Sequence, residues 1–333
     1  MSVEPARVSV IMPVINEERH LRHAVDGILA QDYAGELEVV IAVGPSKDRT
    51  RAIADVIAGE HPNVHVVDNP TGKTPSGLNA AIGRSTGDII VRVDGHAMIP
   101  ADYVSTGVEV LLETGADNVG GIMAAEGTTD LECAVARAMT SKFGVGGASF
   151  HVGGEPGAAL TVYLGCFRRA ALDRVGGYDE SMERAQDWEM NLRIRQSGGL
   201  VWFTPRMQVT YRPRPTLSSL ARQYHDYGRW RREVARRHPD TLSLRYLAAP
   251  VAVLGIAIGV VLGVAGLVTG VGWLAFLGFA APACYLLANL AASAQSMRAA
   301  PRLPWRSARW LPAVYATMHG AWGTGFLRGG AGS

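Results

Sequence analysis

The sequence predicts an α/β protein with a mostly parallel sheet, followed by a C-terminal helical membrane region. Three observations predict it. Short β-branched runs alternate with helix-period segments of about 10 to 15 residues, the pattern of a parallel sheet covered on both faces. No acidic or basic side chain occurs between Arg245 and Arg298. The best-defined strand-like run ends on Asp94-Gly95-His96, where such sheets bind ligands.

The elements follow in order. "RVSVIMPV" (7–14) is a β-branched run, and "NEERHLRHAVDGILAQ" (16–31) sets Leu21, Val25, Ile28 and Leu29 on one helical face. The alternation repeats as "LEVVIAV" (37–43), "KDRTRAIADVIAGE" (47–60), "VHVVD" (64–68), "SGLNAAIGRS" (76–85) and "DIIVRVD" (88–94). A further helix, "ADYVSTGVEVLLETG" (101–115), has Pro100 at its entry. The glycine-rich stretch "SKFGVGGASFHVGGEPGAA" (141–159) reads as a mobile loop over the acceptor side, although the sequence alone slightly favours a plain surface loop. Its GVGG lacks the strand-turn-helix setting of a dinucleotide fingerprint.

The uncharged stretch 246–297 would be about 75 to 80 Å long as one helix, against a hydrocarbon core of about 30 Å. A break at "TGVG" (269–272) divides it into two spanning segments, a membrane hairpin. Arg236, Arg237 and Arg245 precede the hairpin, and Arg298, Arg302, Arg306 and Arg309 follow it, so both ends are expected on the cytoplasmic face. A third apolar segment, about 310–326, is short and glycine-rich; spanning, re-entry and interfacial placement all fit it. The expected domains are thus 1–235 and 236–333.

With 333 residues and a formal charge of +2, the chain can bury a large core and lacks the basic excess of a nucleic-acid binder. Cys133, Cys166 and Cys284 are widely spaced, which indicates neither a disulfide framework nor a cysteine zinc site. Polar and acidic residues come too early for a signal peptide, so export of the N-terminal half is not expected.

Asp94 and His96 flank a glycine that permits an unusual backbone, so both can turn toward one point. Carboxylate and imidazole together suit a divalent cation such as Mn²⁺ or Mg²⁺, with positions left for a diphosphate. An Asp-Gly turn with a solvated histidine would look the same.

The run of motifs separates these readings. "VSVIMPVINEE", "VDGHA", "VYLGCFRRAALDRVGGYDE", "QDWEMNLRIRQSGG" and "RQYHDYGRWR" resemble, in order and spacing, the motifs of family 2 glycosyltransferases over residues 7–235. The chain is similar in particular to the bacterial exopolysaccharide glucosyltransferases of the succinoglycan type, whose membrane tail it shares. The resemblance implies a GT-A-type nucleotide-sugar-binding domain, a nucleotide-sugar donor, a divalent cation and inversion at the anomeric carbon. Carried onto this sequence, it gives Pro13, Asn16 and Glu17 to base and ribose, Asp94 to the donor and cation, and His96 to the cation in place of a second Asp.

Inverting transfer needs a base to take the acceptor proton opposite the leaving diphosphate. Asp187 of "QDWE" matches that base, with Glu189 as a neighbour and Gln186 as an acceptor contact where many relatives carry Glu. Without the resemblance, Asp187 would read as a first-turn acid favoured by the helix dipole. Gln223, Tyr227, Arg229 and Trp230 resemble a diphosphate and acceptor region, stretched here to "QYHDYGRW"; an arginine-rich helix on anionic lipid explains the same residues. Lys73 is expected at phosphate or ribose, and Asn79 beneath the donor. The turn "IAVGPSKDRT" departs from the family, with Val43 and Gly44 where acids are usual, so Ser46 or backbone amides become the candidates for base recognition.

The expected activity is transfer of a hexose, most simply glucose from UDP-glucose, to a lipid-linked saccharide or other membrane acceptor. It is placed at the cytoplasmic face of the plasma (inner) membrane, in contact with membrane lipid and polysaccharide-assembly partners. Two alternatives differ in class. A sugar nucleotidyltransferase would need a glycine-rich loop after the first strand, which "PVINEE" is not. A non-catalytic membrane component that binds nucleotide sugars is favoured by the altered turn and opposed by Asp94 and Asp187.

Overall fold

The structure is a computed structural model and describes residues 5–329. The chain runs β1 (Val8–Val14), α1 (Leu21–Leu29), β2 (Leu37–Val43), α2 (Thr50–Glu60), β3 (Val64–Asp68), α3 (Thr74–Arg84), β4 (Ile89–Arg92) and α4 (Tyr103–Thr114). It continues with β5 (Asn118–Ala125), α5 (Asp130–Met139), α6 (Lys142–Val145), α7 (Ser149–Val152), β6 (Gly157–Ala158), β7 (Tyr163–Arg168), α8 (Arg169–Val175), α9 (Gln186–Gln196) and β8 (Val201–Tyr211). The last elements are α10 (Leu217–Arg237), α11 (Leu244–Thr269), α12 (Gly272–Arg298), α13 (Trp305–Ala308) and α14 (Leu311–Arg328). The segment expected as a loop over 141–159 thus forms α6, α7 and β6.

Among the described residues two compact units result, one of residues 5–124 with 149–211, the other of 125–148 with 212–329. The sequence places a boundary at 235, which falls inside the continuous helix α10. The first unit holds a sheet in the order β3-β2-β1-β4-β7-β5-β8-β6. β1 pairs in parallel with β2 and β4, β2 pairs in parallel with β3, and β7 is antiparallel to β4 and β5.

Strand alternation sorts the core onto the two faces. From β1, Val8, Val10, Met12 and Val14 join Leu21, Val25 and Ile28 of α1, with Val104 and Leu111 of α4 in the same core. Ile11 belongs to the opposite core, with Leu78 of α3, Leu172 of α8, and Met190 and Ile194 of α9. β4 and the residue after it divide the same way: Ile89, Val91 and then Val93 go to the first core and Ile90 to the second. Arg92, two residues beyond Ile90, therefore emerges on the face that α9 covers.

In the second unit, α11 and α12 form an antiparallel hairpin, and Gly270, at φ +72°, ends α11 where the break was expected. Both helices are long and apolar enough to cross a bilayer. Large apolar side chains lie exposed along them, among them Val261, Leu267, Val268, Phe276 and Leu287, a surface that water would not favour. The hairpin closes through glycines: a Cβ on Gly278 would lie 2.2 Å from the Gly263 nitrogen, so no side chain fits there. α14, the third apolar segment, is packed by Leu311, Val314, Tyr315 and Met318, and the two candidate spans among the described residues are α11 and α12.

Candidate active site

Arg92 organises the site. Its guanidinium, on a side chain only 5% exposed, donates from Nε and Nη2 to Asp94 Oδ1 at 3.1 and 3.0 Å, and from Nη1 to Asp187 Oδ1. One buried cation thus gathers two carboxylates that stand 93 positions apart in the chain. Burial works against the Arg92 charge, but Asp187 and Asp94 outweigh it and hold the guanidinium protonated. Every hydrogen bond to the two acids falls on Oδ1; Oδ2 of Asp94 and Oδ2 of Asp187 accept none among the described residues. Each acid therefore has one oxygen fixed and one in reserve.

Asp187 sits in the first turn of α9, which opens after Ala185 in the left-handed region at φ +60°. Burial pushes its carboxyl above the ordinary range, Arg92 opposes that rise, and Asp94 adds to it. An acid so raised suits a general base better than an ordinary surface aspartate. Glu189 is occupied elsewhere: it is buried and clamps Arg193 at 2.6 and 2.7 Å, while Arg193 also bonds the Val175 carbonyl. Gln186 is the first residue of the same helix.

The loop after β1 is held by the turn after β2. Asn16, at φ +56°, receives its conformation from two bonds, its N–H to Ser46 Oγ at 3.1 Å and its Oδ1 from the Lys47 N–H at 2.8 Å. The Glu17 N–H goes to Thr50 Oγ1 at 2.7 Å, and the Glu18 N–H to Asp48 Oδ2 at 3.1 Å. The Thr50 hydroxyl in turn holds the Asp48 carboxyl below its usual range. Ser46, Asp48 and Thr50 thus have a positioning task, even where the turn lacks the family's acids. Pro13 lies near the end of β1, its Cβ against the start of α3 at Gly77.

At the tip of β4, His96 Nδ1 lies 2.7 Å from Glu17 Oε1. Gly95 permits this approach, since a Cβ there would come within 2.7 Å of Val14 Cγ1 and 3.2 Å of Glu17 Cγ. A carboxylate oxygen on Asp94 and an imidazole already tied to a carboxylate fit a hard or borderline divalent cation. Among the described residues no group of three or more His, Cys, Asp or Glu side chains stands close enough to hold a metal ion.

The other expected contacts are fixed locally. Lys73 Nζ meets Glu183 at 3.0 Å. Asn79 is a staple: its amide donates to the Tyr178 carbonyl at 2.8 Å and to Glu180 at 3.0 Å, and its oxygen accepts the Tyr178 N–H at 2.8 Å. Gln223, Tyr227, Arg229 and Trp230 stand on α10 of the second unit, where Gln223 donates to the Tyr227 hydroxyl at 2.9 Å. Arg92 is the residue that sequence reasoning missed. Its signal was a single cation inside the apolar run "DIIVRVD", a placement that costs free energy unless the charge is paired.

Residues 9–176 match the family model described as Glycosyl transferase family 2. The chain is 33% identical to the succinoglycan biosynthesis protein ExoA of Rhizobium meliloti over 96% of this chain and 93% of that protein. It is 24% identical to a dolichyl N-acetyl-alpha-D-glucosaminyl phosphate 3-beta-D-2,3-diacetamido-2,3-dideoxy-beta-D-glucuronosyltransferase of Methanococcus voltae, over 66% of this chain and 71% of that protein. Among solved structures, the mannosyltransferase PcManGT of Pyrobaculum calidifontis, in complex with GDP-Man and Mn²⁺, superposes with a TM-score of 0.63 at 21% identity, covering 98% of this chain and 88% of that one. TarS 1–349 of S. aureus in complex with UDP-GlcNAc gives a TM-score of 0.52 at 15% identity over 96% and 90% of the two chains. These likenesses carry the fold, a GT-A-type domain followed by C-terminal helices.

Proposed function

Because the chain belongs to glycosyltransferase family 2, we propose that it transfers a hexose, most simply glucose from UDP-glucose, with inversion to a lipid-linked saccharide at the cytoplasmic face of the inner membrane. The observation that carries this reading is the buried Arg92, which fixes Asp94 and Asp187 in one site and leaves each with an unbonded oxygen. The relative in succinoglycan biosynthesis supports an exopolysaccharide product, and the Methanococcus voltae relative, named for a dolichyl phosphate substrate, supports a lipid-linked acceptor. α11 and α12 support a membrane setting.

Within this reading Asp187 Oδ2 takes the proton of the acceptor hydroxyl as it attacks the anomeric carbon. Arg92 keeps that carboxylate oriented and restrains the rise that burial gives its pKa. Asp94 and His96 would hold a divalent cation, Mn²⁺ or Mg²⁺, whose charge would neutralise the leaving diphosphate. The loop of Asn16 and Glu17, tied to Ser46 and Thr50, borders the donor side, with Lys73 and Asn79 as further donor-side candidates. Gln186 is the acceptor-side candidate on α9. Gln223, Tyr227, Arg229 and Trp230 serve diphosphate or acceptor, and the arginines of α10 also suit anionic lipid.

The test is release of nucleoside diphosphate from UDP-, GDP- and dTDP-sugars by detergent-solubilised protein, with Mn²⁺, Mg²⁺ or EDTA, and with or without a membrane-lipid extract. Metal-dependent release from one donor, stimulated by the extract, is the expected result. Release of pyrophosphate from a sugar phosphate and a nucleoside triphosphate would replace this reading with nucleotidyl transfer.

A further inference from the structure

We propose that Glu17 is the carboxylate partner of a cation ligand: it holds the His96 imidazole by Nδ1, so that Nε2 is the nitrogen offered to the metal. The proposal rests on the metal-dependent reading above. It moves Glu17 from the nucleoside, where its position in the first-strand loop would put it, to the support of His96.

Three observations converge. First, Glu17 Oε1 and His96 Nδ1 are 2.7 Å apart, a full hydrogen bond across 79 positions of sequence. Second, Glu17 is held on both sides of its own peptide. Its N–H goes to Thr50 Oγ1 at 2.7 Å, and its carbonyl accepts from His20 and Leu21 at 3.0 and 2.9 Å at the start of α1. Its side chain is 18% exposed against 54% for His96, so the acid is the more deeply set member of the pair. Third, Gly95 lets the Asp94-Gly95-His96 turn press against the loop, with the place of a Cβ only 3.2 Å from Glu17 Cγ.

The chemistry follows from the imidazole. A histidine that ligates a metal through one nitrogen commonly donates the other N–H to a carboxylate. That bond selects the tautomer, fixes the ring plane and raises the basicity of the ligating nitrogen. A second Asp at position 96 would need no such partner; an imidazole, with two inequivalent nitrogens, does. A pair with a half-exposed partner contributes little to folding, so removing it leaves a folded protein in which the effect on the cation can be read.

The experiment uses the full chain in detergent and measures Mn²⁺ uptake by the loss of the free-ion EPR signal, in the presence of UDP. Glu17→Gln is expected to weaken Mn²⁺ binding about 10- to 100-fold. In a His96→Ala background the same substitution is expected to weaken it no further, because Glu17 acts through the imidazole. UDP affinity of Glu17→Gln should return to the wild-type value at saturating Mn²⁺. Wild-type Mn²⁺ affinity in Glu17→Gln, or an additive loss in the double variant, would overturn the proposal. UDP binding that stays weak at every Mn²⁺ concentration would also overturn it and return Glu17 to the nucleoside. A wild-type protein that takes up no Mn²⁺ with UDP would refute the metal reading itself, an outcome distinct from the others.

Discussion

Replacing Arg92 by Met should destabilise the catalytic unit and shift its pH profile together. The guanidinium makes two bonds to Asp94 at 3.0 and 3.1 Å and one to Asp187, from a side chain 5% exposed. Methionine fills much of the volume and supplies none of the charge. It leaves two carboxylates, 23% and 27% exposed, as neighbours without a counter-ion. Breaking a buried pair costs about 3–5 kcal/mol, and partial exposure of both acids argues for the low end, about 3 kcal/mol. At about 2–4 °C per kcal/mol for a unit of this size, the apparent Tm falls by about 6–12 °C.

The pH dependence has a definite sign. Asp187 is already raised by burial, so its contribution to stability is present below its unfolded pKa and is lost as pH rises through the folded one. Removing Arg92 deletes the influence that lowers it, so the folded pKa climbs further. The Tm deficit of Arg92→Met should therefore shrink as pH is lowered from 7 toward the Asp187 range, and the acid limb of kcat/KM should move to higher pH. Arg92→Lys, which keeps the charge, should recover part of both. Scanning fluorimetry in detergent and donor turnover across pH read the two effects. An Arg92→Met protein with wild-type Tm and an unmoved acid limb would refute the role given to this side chain.

Two other substitutions probe the supports. Thr50→Val removes the acceptor of the Glu17 N–H and the hydroxyl bonded to Asp48, so donor KM should rise about 5-fold, the equivalent of one hydrogen bond of about 1 kcal/mol, with little change in kcat. Gly278→Leu puts a side chain where even a Cβ would meet the Gly263 backbone at 2.2 Å, so the α11–α12 hairpin should separate and less protein should be recovered from the membrane fraction.

Much of this arrangement is legible in the sequence because it is local. Strand runs of period two and helical faces of period 3.6 announce the α/β unit, and the uncharged stretch with "TGVG" at its centre announces the hairpin. The position of Asp94 and His96 just beyond the tip of β4 is legible because the strand run ends there. Arg92 is not, because its meaning lies in Asp187, far along the chain; spacing cannot show that an acid at the start of α9 meets a cation at the end of β4. Ser46 reads from the sequence as a candidate for base recognition, and only the fold shows Ser46, Asp48 and Thr50 holding the Asn16–Glu18 backbone. The grouping of α5 and α6 with the C-terminal helices is likewise long-range: Arg137 of α5 bonds carbonyls of Ser296 and Ala299, contacts that no local pattern encodes.

The central claim, that Asp187 is the base of a glycosyl transfer, is tested most directly by comparing wild type with Asp187→Asn for both donor binding and donor turnover. The donor found in the panel would be used with the membrane-lipid extract as acceptor source. The variant should bind the donor as the wild type does, stay folded because Asn keeps an oxygen for Arg92 and Asp94 remains its counter-ion, and lose about 10²- to 10⁴-fold in kcat. Turnover within a few-fold of wild type in the folded variant would contradict the claim.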